Sequence, residues 1–230
     1  MLFRSPVENS LGGSIHQNYD LLLEYPDLVI TGEVLLRIVH HLIANPDVEM
    51  ESIRRVYAHP QAAAQCEEFL RAQGWEVINL NDTAGSVRYI KDHACLDAAA
   101  IASIQAADRL QMKVLRTGIE THPRNFTRFV VLTRRQQAVE EPKSDKVSIV
   151  FETDHSPGAL FSALQIVAQH KINLLKLESR PIPGKPWVYL FYVDLQMPED
   201  PALMTKALEQ LSASCPFYRC LGSYRAAVLH

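Results

Sequence analysis

Polar side chains that can bind an acidic ligand form short clusters along the first half of the chain. The first cluster is residues 8–14, with the sequence ENSLGGS. Its two adjacent glycines let a backbone approach a ligand closely, and its hydroxyl and amide donors suit a carboxylate or a phosphate. An ordinary turn or cap is the alternative interpretation, and it is the more frequent one for such a cluster.

A second cluster lies in residues 125–129, with the sequence NFTRF. Side chains alternate along a strand, so Thr127 should face one side of a sheet while Phe126 and Arg128 face the other. Thr127 is either a hydroxyl donor in a cleft or a simple β-branched strand residue. Arg128 is equally suited to bind an acid and to form a structural ion pair.

A third cluster combines His59-Pro60-Gln61 with Gln65. Pro60 suits the first position of a helix, and residues 61 and 65, four apart, share one helix face. The amides of a helix N-terminus attract anions, although a capped surface helix explains the same pattern. Asp82 or Thr83 can cap a later helix in the same way.

Two further segments lie near the C-terminus. Pro157-Gly158-Ala159-Leu160 opens a predicted helix, and Glu178-Ser179-Arg180-Pro181 ends a predicted strand. Helix amides, a carboxylate and a guanidinium can together receive both ends of a zwitterionic amino acid. Two unrelated turns are the alternative.

The elements that must position these clusters fall into two groups, separated by a polar segment over residues 135–145. Before it, apolar runs alternate with helical patterns, which predicts an α/β layer with parallel strand pairing. The run from Val29 to Ile43 should be strand at its centre, with His40 and His41 on opposite faces. After the segment, the pattern is βαββαβ, the ferredoxin-like unit, and Ser156-Pro157 should cap its first helix.

Composition excludes several classes of protein. The chain has 230 residues, 47% of them hydrophobic, and a net charge of -3, which is typical of a globular protein without a basic footprint for nucleic acid or membrane. The four cysteines form no CxxC pair and have no histidine pair at zinc-site spacing, so we expect a cytoplasmic protein without a metal site. The common nucleotide-binding, hydrolase and metalloprotease motifs are absent from the sequence.

Taken together, the clusters resemble prephenate dehydratase with its C-terminal ACT regulatory domain, from Pro6 to the end of the chain. In the catalytic part the matching segments are PVENSLGGS at 6–14, ITGE at 30–33, VYAHPQ at 56–61, DTAG at 82–85 and NFTRF at 125–129. In the ACT part they are GAL at 158–160 and ESRP at 178–181. Each segment alone is weak evidence, and their order and spacing make the match specific.

The resemblance implies a periplasmic-binding-protein-like (type II) α/β catalytic domain of two lobes with the active site between them, followed by the ACT domain. It implies a carbon–oxygen lyase that converts prephenate to phenylpyruvate, with loss of CO2 and water, in L-phenylalanine biosynthesis. Because aromatisation drives that reaction, no cofactor is expected. The implied catalytic residues are Thr127, Asn9, Ser10 and Gln65, and the implied substrate-binding residues are Glu8, Gly12, Gln61, Arg128 and Thr83.

For the ACT domain, the resemblance implies feedback by L-phenylalanine and a homodimer or homotetramer. The implied effector-binding residues are Gly158, Ala159, Leu160, Glu178, Ser179 and Arg180. Two alternatives remain open: a non-catalytic phenylalanine-binding regulatory module, and the same chemistry on arogenate.

The chain departs from the family pattern at two places. Ala58 stands where the family usually has serine, which removes one polar contact. The family also begins with a strand and a Gly-Pro-Glu-Gly-Thr-Phe-Ser loop that this chain lacks. We therefore expect a partial catalytic domain at 1–134, a linker at 135–145 and an ACT domain at 146–230, in a chain that is either a fragment or a product started at an internal methionine, Met1. Loss of part of a lobe should expose apolar surface and lead to poor solubility or to compensating association.

Overall fold

A computed structural model describes residues 3–139, 141, 143–182 and 184–228. The chain divides into two compact units, one formed by residues 1–36 and 127–230 and the other by residues 37–126. Met1, which we expected to mark either a fragment or an internal start, lies outside the described residues, as do Glu140 and Pro142 of the expected linker.

The described residues form thirteen strands and seven α-helices. The strands are β1 (Phe3–Asn9), β2 (Gly13–Ser14), β3 (Leu28–Arg37), β4 (His41–Ala44), β5 (Arg55–Ala58), β6 (Glu76–Asn79), β7 (Ala98–Ala102), β8 (Lys113–Thr117), β9 (Phe126–Arg134), β10 (Lys146–Glu152), β11 (Leu174–Pro181), β12 (Tyr189–Gln196) and β13 (Phe217–Tyr224). The helices are α1 (His16–Glu24), α2 (Pro60–Gln65), α3 (Glu67–Gln73), α4 (Thr83–Asp92), α5 (Ile104–Leu110), α6 (Ala159–Gln169) and α7 (Pro201–Ser214).

The unit of residues 37–126 is built on a five-stranded sheet of order β6-β5-β7-β4-β8. Strand β5 pairs in parallel with β6 and β7, as the alternation of strands and helices predicted. Strand β4 pairs antiparallel with β7 and β8, so the sheet is mixed. Apolar side chains on both faces of this sheet pack against helices α2–α5 and form two core clusters.

The other unit contains two four-stranded sheets, of order β2-β1-β9-β3 and β11-β12-β10-β13. The second has the predicted βαββαβ connectivity, with α6 and α7 on one face. Its other face packs on the first sheet through a core that includes Ile30, Val130, Tyr192 and Leu221. Strands β1 and β9, which carry part of the 8–14 cluster and most of the 125–129 cluster, therefore belong to a sheet that packs directly on the βαββαβ sheet.

Local sequence signals explain several element boundaries. Pro60 occupies the first turn of α2, and the Asp82 side chain accepts a hydrogen bond from Gly85 N at the start of α4, as predicted. The predicted Ser156-Pro157 cap is wrong: α6 begins at Ala159, and its N-cap is Gly158 with φ 83°. Because Gly158 is left-handed, the helix begins two residues after the proline that was predicted to open it.

Two other sequence predictions need correction. The predicted helix after Pro60 is interrupted at Cys66, which separates α2 from α3. The predicted strand through His40 is also interrupted, since residues 38–40 lie outside β3 and β4. Of the two adjacent histidines, His41 begins β4 and His40 is not in a strand. Within the described residues, no helix is long and apolar enough to span a bilayer.

Candidate functional site

The 8–14 cluster forms a tight hairpin between β1 and β2. Glu8 lies opposite Ser14, and Asn9 lies opposite Gly13. Gly13 has φ 77°, a left-handed conformation that side chains other than glycine rarely adopt. The alternative interpretation of this cluster as a turn is thus correct for its backbone, and the turn holds the Asn9 side chain in a defined place.

Asn9 and Thr127, both predicted catalytic residues, are hydrogen-bonded partners. They lie opposite each other in the antiparallel pairing of β1 with β9, just beyond an irregularity between Pro6 and Glu8 that shifts the register. Asn9 Nδ2 donates to Thr127 Oγ1 over 3.0 Å, and only 6% and 8% of the two residues are exposed. The structure therefore unites two clusters that are 118 residues apart in sequence.

The turn fixes which way the Asn9 amide points. Asn9 Oδ1 accepts hydrogen bonds from Leu11 N at 3.0 Å and Gly12 N at 2.7 Å. Its Nδ2 is thereby directed at Thr127, whose oxygen acts as the acceptor. Since a hydroxyl has one hydrogen and two lone pairs, this arrangement leaves the Thr127 hydrogen to donate elsewhere.

Glu8 and Arg128 form the neighbouring pair of the same ladder and face the opposite way, as strand alternation predicted. Arg128 Nε donates to Glu33 at 2.6 Å, Nη1 to Asp194 at 2.6 Å and Nη2 to Tyr224 at 3.0 Å. Burial lowers the pKa of Arg128, but the adjacent Asp194, Tyr224 and Glu33 more than offset it and raise that pKa. This geometry favours the ion-pair interpretation of Arg128 that the sequence left open.

The remaining predicted catalytic and substrate residues differ in exposure. Ser10 and Gly12 are exposed on the hairpin turn. Gln61, Gln65 and Thr83 belong to the unit of residues 37–126. Gln65 Oε1 is 2.7 Å from Nε2 of His40, a buried residue at the break between β3 and β4. Gln61 is exposed in the first turn of α2, and Thr83 is the first residue of α4.

The predicted effector residues fall into two sets. Gly158, Ala159 and Leu160 line an open cleft of about 480 Å³ whose apolar wall includes Trp187 and Phe191. Glu178, Ser179 and Arg180 lie on β11 and do not line this cleft in the described part of one chain. The structure thus does not bring the two sets together within a single chain.

Glu178 and Arg180 instead contact the segment that follows β1. Glu178 accepts from Ser14 Oγ at 2.8 Å and lies 2.9 Å from His16 Nε2, and Arg180 donates to Asp20 at 2.6 Å. Burial raises the pKa of Glu178, but hydrogen bonds from Ser14 and His16 and the charge of Lys176 lower it below its usual value.

Sequence reasoning did not identify the partners of these residues. Asp194 and Tyr224, which hold Arg128, lie 66 and 96 residues away from it. The one available signal is the charge itself, because Asp194 interrupts the otherwise apolar strand YLFYVDLQ and is buried there. A buried carboxylate requires a cationic or hydrogen-bonding partner. Which partner it has depends on tertiary structure.

Comparison with known proteins matches both parts of the chain. The family model described as prephenate dehydratase matches residues 5–137, more than half of the chain, and the ACT domain model matches residues 147–213. A curated relative, arogenate dehydratase 2 of Petunia hybrida, is 43% identical over 95% of this chain and 59% of its own length. The chain therefore spans about 60% of the length of such curated relatives.

Two solved structures resemble the whole chain. The prephenate dehydratase of Arthrobacter aurescens in complex with L-Phe is 30% identical, with a TM-score of 0.87 over 97% of this chain and 74% of its own. GqqA, described as a novel type of quorum quenching acylase, is 31% identical, with a TM-score of 0.87 over 98% of this chain and 82% of its own.

Proposed function

The chain belongs to the prephenate dehydratase family, and on that premise we propose that it converts prephenate to phenylpyruvate, with arogenate as the alternative substrate. The expected fold, a type II periplasmic-binding-like catalytic domain with a ferredoxin-like ACT domain, is confirmed by the solved relatives. We keep the division into a partial catalytic domain at 1–134, a linker at 135–145 and an ACT domain at 146–230, which the two family matches support.

The observation that carries this proposal is the buried Asn9–Thr127 hydrogen bond. A threonine of a strand surface needs no oriented amide beside it. Here the asparagine is itself held by two backbone amides, so the hydroxyl oxygen has a fixed acceptor role and its hydrogen remains able to donate to another group. Such preorganised donors stabilise charge that develops in a transition state.

The chemistry uses a donor of this kind. In prephenate the bond to the ring carboxylate breaks, CO2 leaves, and the electron pair enters the ring as the carbon–oxygen bond to the leaving hydroxyl breaks. The departing oxygen takes up a proton and leaves as water, which completes the aromatic ring. Thr127 hydrogen-bonds to that oxygen and positions it; a threonine hydroxyl is too weak an acid to supply the proton unaided.

Other residues are proposed to bind and position the substrate. Gln65, held by His40, and the exposed Ser10 supply further hydrogen bonds. Gly12, Gln61 and Thr83 are proposed substrate contacts, while Glu8 and Arg128 stay predictions that their present partners do not favour.

We further propose that L-phenylalanine is the effector of the ACT domain. The cleft at Gly158–Leu160 has an aromatic wall and lies at the N-terminus of α6, which suits the ring and the carboxylate of that amino acid. A solved relative contains L-Phe. Inhibition requires that phenylalanine bind one of two conformations more tightly.

A homodimer or homotetramer is proposed on the same premise. Strand β11 is the edge of its sheet, and Leu174, Leu175 and Leu177 on it are more than one-third exposed. An exposed apolar edge strand pairs readily with another chain.

The decisive experiment measures phenylpyruvate from prephenate and phenylalanine from arogenate with this chain. Thr127→Val should abolish turnover of the preferred substrate. The matched control is Thr133→Val, which removes a hydroxyl from the same face of β9, six residues away. Loss of activity in both variants, or in neither, contradicts the role of Thr127.

The second candidate, a non-catalytic phenylalanine-binding module, is favoured by the share of the relatives that this chain spans. Calorimetry with phenylalanine, run beside the turnover assay, separates the two. Binding without turnover of either substrate supports the module; turnover excludes it. We do not transfer the acylase activity of GqqA, since the chemistry above explains the Asn9–Thr127 pair.

A further inference from the structure

A cluster of buried charges joins the catalytic strand to the ACT sheet. Arg128 of β9 and Glu33 of β3 meet three ACT residues, namely Asp194 of β12, Tyr224 of β13 and Lys146 of β10. Ser148 of β10 hydrogen-bonds to both Asp194 and Tyr224. The charged side chains of Arg128, Glu33, Asp194 and Lys146 are each at most 10% exposed. Tyr224 is fully buried.

Arg128 forms ion pairs with more than one carboxylate. Arg128 and Lys146 meet Glu33 and Asp194 through contacts of 2.6 to 3.0 Å, and Arg128 Nη1 also lies 3.5 Å from Glu8 Oε2. A buried ion pair of this kind contributes little net stability, but removing one partner leaves the other charge buried and uncompensated. Arg128 therefore cannot move far without moving its ACT partners or breaking these ion pairs.

The cluster is attached to the proposed catalytic pair by the strand itself. Arg128 directly follows Thr127, and Glu8 directly precedes Asn9, so each catalytic residue has a neighbour that points the opposite way. Glu8 also binds the ACT domain, since Lys176 Nζ of β11 donates to it at 2.8 Å. Both strands of the pair are thus held from the regulatory side, one residue away from the side chains that face the chemistry.

We propose that Arg128 is a positioning residue through which Asp194 and Tyr224 of the ACT sheet set the geometry of the Asn9–Thr127 pair. This inference rests on the proposed function for its catalytic consequence, whereas its structural content does not depend on turnover. Arg128 does not touch substrate in this role. It fixes the register and the orientation of β9, and so the direction of the Thr127 hydroxyl.

The physical reason is that a donor must be held tightly to be effective. A hydrogen bond weakens steeply as it is bent, and small displacements of a positioned group reduce catalysis strongly. If the ACT sheet shifts relative to β9, its hydrogen bonds from the Arg128 guanidinium move that group as well. The geometry of the Asn9–Thr127 pair then changes with the position of the ACT domain, although neither residue contacts the effector.

The test is Tyr224→Phe, with Tyr218→Phe as the matched control. The first removes a hydroxyl that accepts from Arg128, and the second removes a hydroxyl from the same strand that packs among the ACT helices. Amide hydrogen exchange is followed in peptides covering β1 and β9, beside kcat and KM for the preferred substrate and urea unfolding of each variant.

We expect Tyr224→Phe to speed exchange around Thr127 and to lower kcat by about fivefold or more, the lower limit of typical coupling between sites, while KM changes less. Tyr218→Phe should change neither quantity. Ser148→Ala, which removes a second contact of the Tyr224 hydroxyl, should act in the same direction as Tyr224→Phe.

Equal exchange near Thr127 in Tyr224→Phe and Tyr218→Phe overturns the proposal, as does a kcat loss in both that follows their loss of global stability. If the unmodified chain lacks turnover, the exchange comparison alone decides. In that case faster exchange confined to Tyr224→Phe supports the positioning role even though the proposed dehydratase activity fails.

Discussion

Replacing Asn9 by aspartate should reverse the hydrogen bond between this residue and the proposed catalytic hydroxyl of Thr127. Asn9 Nδ2 now donates to Thr127 Oγ1 over 3.0 Å. A carboxylate oxygen in the same place can only accept, so Thr127 must donate to it. The hydroxyl hydrogen is then used in this contact and is not available to the substrate, so kcat should fall by about 100-fold or more, the usual contribution of one positioned hydrogen-bond donor.

Stability should respond differently to the same substitution. The aspartate keeps the two acceptor contacts to Leu11 N and Gly12 N and gains the Thr127 hydroxyl as a third donor. Three donors stabilise a buried carboxylate, so Asn9→Asp should cost no more than about 1 kcal/mol in the free energy of unfolding. Asn9→Ala loses these three hydrogen bonds and should cost about 1.5–4.5 kcal/mol, at about 0.5–1.5 kcal/mol for each bond.

The assay combines urea unfolding with steady-state turnover for both variants. Asn18→Asp is the matched control: the Asn18 amide of α1 donates to Pro6 O, and it is not a proposed catalytic group. This control should lose stability and retain kcat, the opposite of Asn9→Asp. The reasoning is refuted if Asn9→Asp retains at least half of the turnover, or if Asn9→Ala is no less stable than Asn9→Asp.

Three other expectations follow from the same structure. Gly13→Ala should lower the free energy of unfolding in urea by about 1–2 kcal/mol, because φ is 77° at that residue. The control Gly32→Ala places its new methyl group in ordinary contacts and should change that free energy by no more than about 0.5 kcal/mol. Equal costs would be inconsistent with backbone strain at the hairpin. The pKa of Glu178 is below its ordinary 4.5, so the stability that its charge contributes is present above that pH and is lost as the pH falls through the folded-state pKa. Glu178→Gln should therefore flatten the acid side of a plot of unfolding free energy against pH. An unchanged acid side would argue against the contacts of Glu178 with Ser14 and His16. Leu175→Glu on the edge of β11 should reduce the assembly seen by light scattering and Leu96→Glu should not, while a monodisperse monomer for the unmodified chain would contradict the proposed association.

The sequence predicted most elements because their signals are local. Pro60 and Asp82 mark helix starts by their own backbone and side-chain chemistry, and the structure has both helices there. The start of α6 was misplaced because the left-handed conformation of Gly158 is not determined by its neighbours in sequence. Strand direction was predicted only where it follows from alternation with helices. Strand β8 follows α5 and runs parallel to β7 as that rule predicts, whereas β4, which no α-helix separates from β5, runs antiparallel to both β7 and β8.

The candidate site shows a second limit of sequence reasoning. Motif matches singled out Asn9 and Thr127 separately, and the structure shows that a ladder register makes them partners. The role of Arg128 could not be decided, because both of its interpretations require the same buried guanidinium. The two interpretations differ in which group binds Arg128. Its partners Asp194 and Tyr224 lie on another sheet, so the sequence around Arg128 does not predict them.

Alternation along one strand explains how a single motif can serve two parts of a protein. Thr127 and Arg128 are neighbours in sequence, yet a strand turns one toward Asn9 and the other toward Asp194. A helix would have set them about 100° apart on one cylinder, where both would feel the same environment. In the pleated strand, a change in the position of Arg128 on one face needs to pass over a single residue to reach Thr127 on the other, and the proposed positioning role of Arg128 depends on this short connection.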